Sequence, residues 1–490
     1  MAPYHFDPLS AQDQSFLVFE TPNLHMHVAS TQIFALGPLA MPDGGVDYES
    51  IKRFTESVLH RIPRYRQKLM RLPIDGRGVW VDDRHFDIDY HVRHTALPRP
   101  GSEEQLKALA ARVSAQQLDR ARPLWEIWVV EGLEGGRFAL ISKIHHCMID
   151  GSSGVEISQV LQSITPDRSI PELPRFIPRP EPSSAELLRY ALAERAATPL
   201  RALRGFREFR RRSEDWLEEA RSNARVLFDT ITQQARRAPA TPINGAVGPH
   251  RAFDWLRVPL QDLKSLRKAL SCTINDVVLA VATGAFREYM IRRQVRPEDL
   301  DFRIQAPVSV RRDEERERMG NRVAGWMVRL PLEEKDPLRQ LEAIRETTRE
   351  LKDSQQALGV DLMFSIMDAM PTGVLSLGAQ AASGVMNSIV TNVPGPQFPL
   401  YLLGAEMLEM FPQVPLLSNV GLGIALISYN GRVCWGFNAD PELVPDLDAF
   451  VDLVRRALDR LAGAAHVRLG AAPEPAPHAA TTGSPQGAAT

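Results

Sequence analysis

Apolar residues recur along this chain with two alternating periods. HVASTQIFAL, from residue 27, has the composition and spacing of a strand, and DYESIKRFTESVLHRI, from residue 47, the three- and four-residue spacing of a helix. GVWVDD then predicts a strand and SEEQLKALAARVSAQQL a helix. LWEIWVVEGLEGGRFALISKIHH gives two β-rich runs around Glu134-Gly135-Gly136, which predicts a hairpin. Gly151-Ser152-Ser153-Gly154 leads from its end into the helical pattern VEISQVLQSI.

The pattern breaks at PDRSIPELPRFIPRPEP, a proline-rich stretch that resists regular structure and reads as a linker or mobile loop. A long helical segment follows, over about 184–237. From about Ala252 the two periods return. QDLKSLRKAL and INDVVLAVATGAFREYMIRR read as helices, FRIQAPVSV and VAGWMVRLPL as strands, and another helical stretch leads to the strand MNSIVTNV. LGIALISYNGRVCWGFN carries Asn430-Gly431 between apolar runs, a strong hairpin signal, and PDLDAFVDLVRRALDRL closes the series as a helix. The expected organisation is two similar α/β domains, over 1–163 and 241–468. A proline-rich and helical connector spans 164–240, and a disordered Ala/Pro/Gly-rich tail spans 469–490.

Composition narrows the function without naming it. A net charge of -2, from 58 basic against 60 acidic residues, gives no global attraction to nucleic acid. Cys147, Cys272 and Cys434 are too few and too scattered for a disulfide framework or a zinc site, so free thiols in a reducing cytoplasm are expected. The start MAPYHFDPLS lacks the pattern of a signal peptide. No run approaches the ~18 apolar residues of a membrane span. A soluble or peripheral protein is expected.

The chemistry concentrates in HHCMIDG. His145 and His146 are adjacent at a strand end, so their side chains leave in different directions and do not chelate one metal comfortably. The serines of DGSSG do not form the strand-turn-helix elbow of a hydrolase nucleophile. A general base remains, since a neutral imidazole accepts a proton near pH 7. Asp150 would then hold the loop and Gly151 permit its sharp turn. The structural alternative is a pair of half-buried histidines closing the strand, with Asp150 capping the next helix.

HHCMIDG fits the HHxxxDG signature of the coenzyme A-dependent acyltransferase superfamily, which includes proteins resembling chloramphenicol acetyltransferase and peptide-synthetase condensation domains. Within it the chain resembles the bacterial wax ester synthase/diacylglycerol acyltransferase family. LSAQDQSFLVFETPNLHMHVA, RIPRYRQKL, PLWEIWVVEGL, NDVVLA, PVSVR, Gly320-Asn321, NVPGP and SYNG follow in the family's order over most of residues 9–440. The family more often has proline directly before the Met-His of HMHVA, where this chain has His25.

The resemblance implies two chloramphenicol acetyltransferase-like domains with an active-site channel between them and His146 as general base. It also implies acyl-coenzyme A and diacylglycerol or a long-chain alcohol as substrates, with no metal or other cofactor. Asn275 and Asp276 belong to the family's active-site pair. On physical grounds Asp276 is expected to close a capping box with Thr273, and Asn275 is a candidate to stabilise a developing oxyanion. Arg64 and Arg66 are candidates to brace Asp150, as a remote arginine does in the superfamily. Two alternatives stay open: a condensation-type enzyme using carrier-protein thioesters, and a non-catalytic lipid-binding scaffold. Arg201, Arg204, Arg207 and Arg211 at helical spacing, with Leu203, Phe206 and Phe209, suit peripheral attachment to a membrane or lipid inclusion.

Overall fold

The computed structural model describes residues 5–74, 76–148, 160–196, 237–309, 323–357 and 384–470. Three short strands, β1 (Asp7–Pro8), β3 (Gln67–Arg71) and β4 (Gly78–Asp82), form a small sheet in the order β1-β4-β3. The first large sheet is built on β2 (His27–Ala35), β5 (Val92–Ala96), β6 (Trp125–Leu133) and β7 (Arg137–His145). Its predicted hairpin forms between β6 and β7, where Gly135 and Gly136 take positive φ that a side chain would resist.

Helix α1 (Ala11–Phe19) starts at Ser10, whose hydroxyl accepts the Asp13 N–H, and ends at Glu20. Helices α2 (Tyr48–Val58) and α3 (Ile88–His91) follow. α4 (Glu103–Ala115) opens with a capping box between Ser102 and Gln105. After residue 160 the proline-rich stretch has no regular structure, as its composition predicts, yet it is pinned to the small sheet. Arg179 makes a forked bond to Asp82, with Nη2 at 2.9 Å, and Phe176 lies over the Arg66 guanidinium, 4.6 Å to the ring centre. It is a strap laid across β3 and β4, ending in helix α5 over 184–196.

The second half begins with β8 (Ala252–Pro259), α6 (Leu260–Ala269) and α7 (Ile274–Arg292). α7 is apolar nearly all round and is correspondingly buried, from Val277 to Phe286 without a break. It packs between α8 (Pro337–Ala357) and α9 (Leu447–Ala464). Strands β9 (Arg303–Ser309), β10 (Val323–Arg329), β11 (Ser388–Pro394), β14 (Leu422–Tyr429) and β15 (Arg432–Ala439) join β8 in the order β10-β9-β11-β14-β15-β8. The Asn430-Gly431 turn forms with φ of 42° and 80°, both in the region those residues tolerate.

The sequence reading places 401–413 in the second domain with the rest of 241–468, but these residues cross over. β12 (Tyr401–Leu402) and β13 (Ala405–Gln413) complete the first sheet, in the order β12-β13-β2-β7-β6-β5. β13 pairs antiparallel with β2, from Met407 opposite Phe34 to Gln413 opposite Ala29. The two halves also meet through charge. Arg257 of β8 binds Glu103 of α4 at 2.7 Å and Glu409 of β13 at 2.5 Å. Arg137 completes Glu103 and Arg432 completes Glu409, each at 3.0 Å. Trp255 adds an indole N–H bond to Glu103 and stacks on Phe411.

Candidate active site

β7 delivers the two histidines. His145 is its last residue and lies directly opposite His27 of β2, while His146 opens a single turn of 3-10 helix, His146–Met148. The backbone N–H of His146 donates to the Met26 carbonyl at 2.7 Å, so the His25-Met26-His27 segment fixes where β7 ends. The two imidazoles then have different surroundings. His146 stacks on Phe16 of α1, ring centres 3.9 Å apart and planes 20° from parallel. Its Nδ1 is buried without a hydrogen bond, and burial lowers its pKa to about 4 against a weaker pull from its own backbone carbonyl. A neutral imidazole at pH 7 results.

His145 is 1% exposed, hydrogen-bonded at one ring nitrogen and turned toward a carboxylate with the other. Its Nδ1 accepts the Cys147 N–H at 3.2 Å, and its Nε2 faces Glu20 Oε1 at 3.6 Å. The same Glu20 oxygen has His27 Nε2 at 3.5 Å and His25 Nδ1 at 3.8 Å, while Oε2 binds Arg120. Burial alone would raise the Glu20 carboxyl, but His145, His27 and Arg120 hold it well below the carboxylate range. Burial lowers the His27 pKa to about 3, against the opposing pull of Glu20. Among the described residues, no group of three or more His, Cys, Asp or Glu is placed to hold a metal ion.

Phe16, Glu20 and His27 lie in LSAQDQSFLVFETPNLHMHVA and are not among the residues that the sequence singles out as candidates. The available signal was spacing: two histidines flanking a methionine at the start of a strand, with an acidic residue just past a predicted helix.

The second-half residues divide as physical reasoning expected for Asp276. Its carboxylate accepts the Thr273 N–H at 2.9 Å while the Thr273 hydroxyl accepts the Asp276 N–H at 3.1 Å, a complete capping box. The other Asp276 oxygen receives the Thr348 hydroxyl at 3.2 Å and ties α7 to α8. Asn275 is half-buried in the first turn of α7, and no hydrogen bond or ring contact joins it to His146 among the described residues.

Asp150 and Gly151 lie outside the described residues, as do Arg201–Arg211 and the tail from 471. Arg64 binds Gln67 at 2.9 Å and stacks over Trp80. Arg66 is buried between Phe86 and Phe176, with the Glu56 carbonyl 3.4 Å away. Trp125 is core, and its indole N–H donates to the Tyr65 carbonyl.

The model of the wax ester synthase/diacylglycerol acyltransferase catalytic domain matches residues 9–278, from the start of the helix bearing Phe16 to just past Asp276. The model of the family's C-terminal domain matches 319–462. The chain belongs to the wax ester synthase/diacylglycerol acyltransferase family. It is therefore an acyltransferase, of two chloramphenicol acetyltransferase-like halves.

A putative diacylglycerol O-acyltransferase of Mycobacterium tuberculosis is 32% identical over 466 residues, covering 92% of this chain and 89% of the relative. A probable diacylglycerol O-acyltransferase of the same species, tgs1, is 31% identical over 472 residues, 92% and 95% of the two chains. Among solved structures, the wax ester synthase/diacylglycerol acyltransferase from Marinobacter aquaeolei VT8 matches with a TM-score of 0.64 at 24% identity, over 94% of this chain and all of that one. The first condensation domain of the calcium-dependent antibiotic synthetase matches with a TM-score of 0.58 at 17% identity, over 94% and 96%. These structural likenesses establish the shared fold.

Proposed function

We propose that this acyltransferase moves a long-chain acyl group from acyl-coenzyme A to the hydroxyl of diacylglycerol or a long-chain alcohol, with His146 as general base. The observation that supports it is the unequal state of the two histidines. His145 Nδ1 accepts the Cys147 N–H and its Nε2, without a hydrogen bond, faces the Glu20 carboxylate at 3.6 Å, whereas the His146 Nδ1 has no partner of either kind and its buried ring has a pKa of about 4 that leaves it neutral and free to accept a proton. His146 removes the hydroxyl proton as the oxygen attacks the thioester carbonyl. The tetrahedral intermediate expels the thiolate, which takes the same proton from His146. Burial makes the imidazolium costly, so the proton passes on rather than resting there. Asn275 is the candidate oxyanion donor.

The test is turnover of palmitoyl-coenzyme A with dioleoylglycerol or hexadecanol, read as free thiol and lipid product. His146→Ala is expected to lose ~100- to 10,000-fold in rate while still binding the thioester. Near-normal turnover in that variant would overturn the assignment, and product formed only from a carrier-protein thioester would move the enzyme to the condensation class.

Lipid acceptors also suit attachment to a lipid surface. Leu173, Ile177, Leu188 and Leu192 are exposed along the strap and α5, Ile177 by 74%, just ahead of the arginine-rich sequence at 201–211. Flotation with anionic liposomes should fall when Ile177, Leu188 and Leu192 are replaced by serine, and unchanged flotation would dispose of this surface.

A further inference from the structure

The proton positions around Glu20 follow from one hydrogen bond. Because His145 Nδ1 accepts the Cys147 N–H, it carries no proton, and the ring's N–H lies at Nε2, facing Glu20 Oε1 at 3.6 Å. The opposite tautomer would set Nδ1–H against the Cys147 N–H, two donors facing each other, and release the turn that begins at His146. Glu20 is well placed to prevent this. Its side chain is 1% exposed, its Oε2 is held by Arg120, and Arg120 also donates to the Leu17 carbonyl at the end of α1. Arg120 thus fixes the carboxylate from behind and leaves an acceptor, never a donor, toward His145.

We propose that Glu20 is a positioning residue for acyl transfer: it holds His145 in the Nε2–H tautomer, and so preserves the Cys147 N–H bond that fixes the turn presenting His146. The same helix supplies Phe16, stacked on the His146 ring, so α1 grips both histidines, one by charge and one by face. The proposal rests on the reading of His146 as the base. The His146 N–H bond to Met26 is independent of Glu20, so loss of the carboxylate is expected to loosen the turn without unpairing the strand end.

Glu20→Gln tests this with almost no change of shape. Arg120 demands the amide oxygen, which turns the amide NH2 toward His145 Nε2 and favours the wrong tautomer. The expected result is a roughly 10- to 100-fold loss of kcat, with KM for palmitoyl-coenzyme A within about twofold. In protein labelled with 15N-histidine, the His145 Nδ1 resonance should move from the bare-nitrogen to the protonated range. Adding Arg120→Met frees the amide to turn its oxygen back, and part of kcat should return, a rescue that a merely structural role would not give. Wild-type kcat in Glu20→Gln, or a loss of kcat with the His145 tautomer unchanged, would overturn the proposal. So would a protonated His145 Nδ1 in the wild-type enzyme, whatever the variants do. The tautomer is read without reference to turnover, so it stands or falls separately from the His146→Ala assay.

Discussion

Replacing Arg257 by methionine removes the cation shared by the two halves and leaves their carboxylates behind. Glu409 is 3% exposed and Glu103 17%, and Arg257 itself 25%. Burial opposes the Arg257 charge, but Glu409 and Glu103 more than offset it and raise its pKa. Removing one member of a buried ion pair costs about 3–5 kcal/mol, because a desolvated charge is left uncompensated. Here each carboxylate keeps a second arginine at 3.0 Å, Arg137 for Glu103 and Arg432 for Glu409, so the lower end, about 3 kcal/mol, is expected.

Urea unfolding followed by tryptophan fluorescence suits the measurement, since Trp255 donates to Glu103 inside the same contact. Glu409→Gln in the Arg257→Met background should recover part of the loss, with a coupling of about 1–3 kcal/mol between the two substitutions. An Arg257→Met protein within about 0.5 kcal/mol of wild type, or two substitutions whose effects simply add, would refute the claim that this network is a desolvated clamp rather than solvated decoration.

Two further outcomes follow from individual groups. His91 is 1% exposed, its Nδ1–H donates to the Trp125 carbonyl at 2.8 Å, and burial lowers its pKa to about 4. The unfolded chain therefore binds more protons between pH 6.5 and 4, and stability falls as pH drops through that window, by about 2 kcal/mol at pH 5 from His91 alone. His27 acts in the same direction. Urea midpoints at pH 7 and pH 5 should show the loss in wild type and a smaller one in His91→Asn, and a pH-independent midpoint would contradict it. Asp276→Ala should lower stability by about 1–2 kcal/mol through the lost cap and the lost Thr348 bond, whereas Asn275→Ala should lower turnover with little change in Tm. The reverse pattern would exchange their roles.

Much of the fold was legible because local period and burial agree. α7 reads as a buried helix from its own composition, and both glycine-bearing hairpins mark themselves. β13 is the instructive failure. Its buried face is Ala405, Met407, Glu409, Phe411 and Gln413, while Leu408, Met410 and Pro412 face the less buried side. Two polar residues inward and a proline mid-strand erase the alternation, and only Arg257 and Arg432, far off in sequence, explain why Glu409 is buried. The site divides in the same way. The two histidines and the capping of Asp276 are local and visible. Glu20 and His27 acquire meaning only when β2 is laid beside β7, about 120 residues away along the chain.

The crossover of β13 sets a timetable for the growing chain. On the ribosome β2 and β7 can pair as soon as both have emerged, but the outer edge of β2 waits for Met407–Gln413. Gln413 is made about 270 residues after His145, which at ~5–20 residues per second is a wait of roughly 15–50 s. Throughout it, an open strand edge lies one strand away from the histidines, and Glu409, which Arg257 will hold against Glu103, is unmade until close to its end. A polypeptide released in that interval carries the whole HHCMIDG motif and an unfinished sheet beneath it. The last strand of this sheet to be delivered therefore decides when the support beneath the motif is complete, and the chain cannot be divided at its proline-rich strap into two halves that each close on their own.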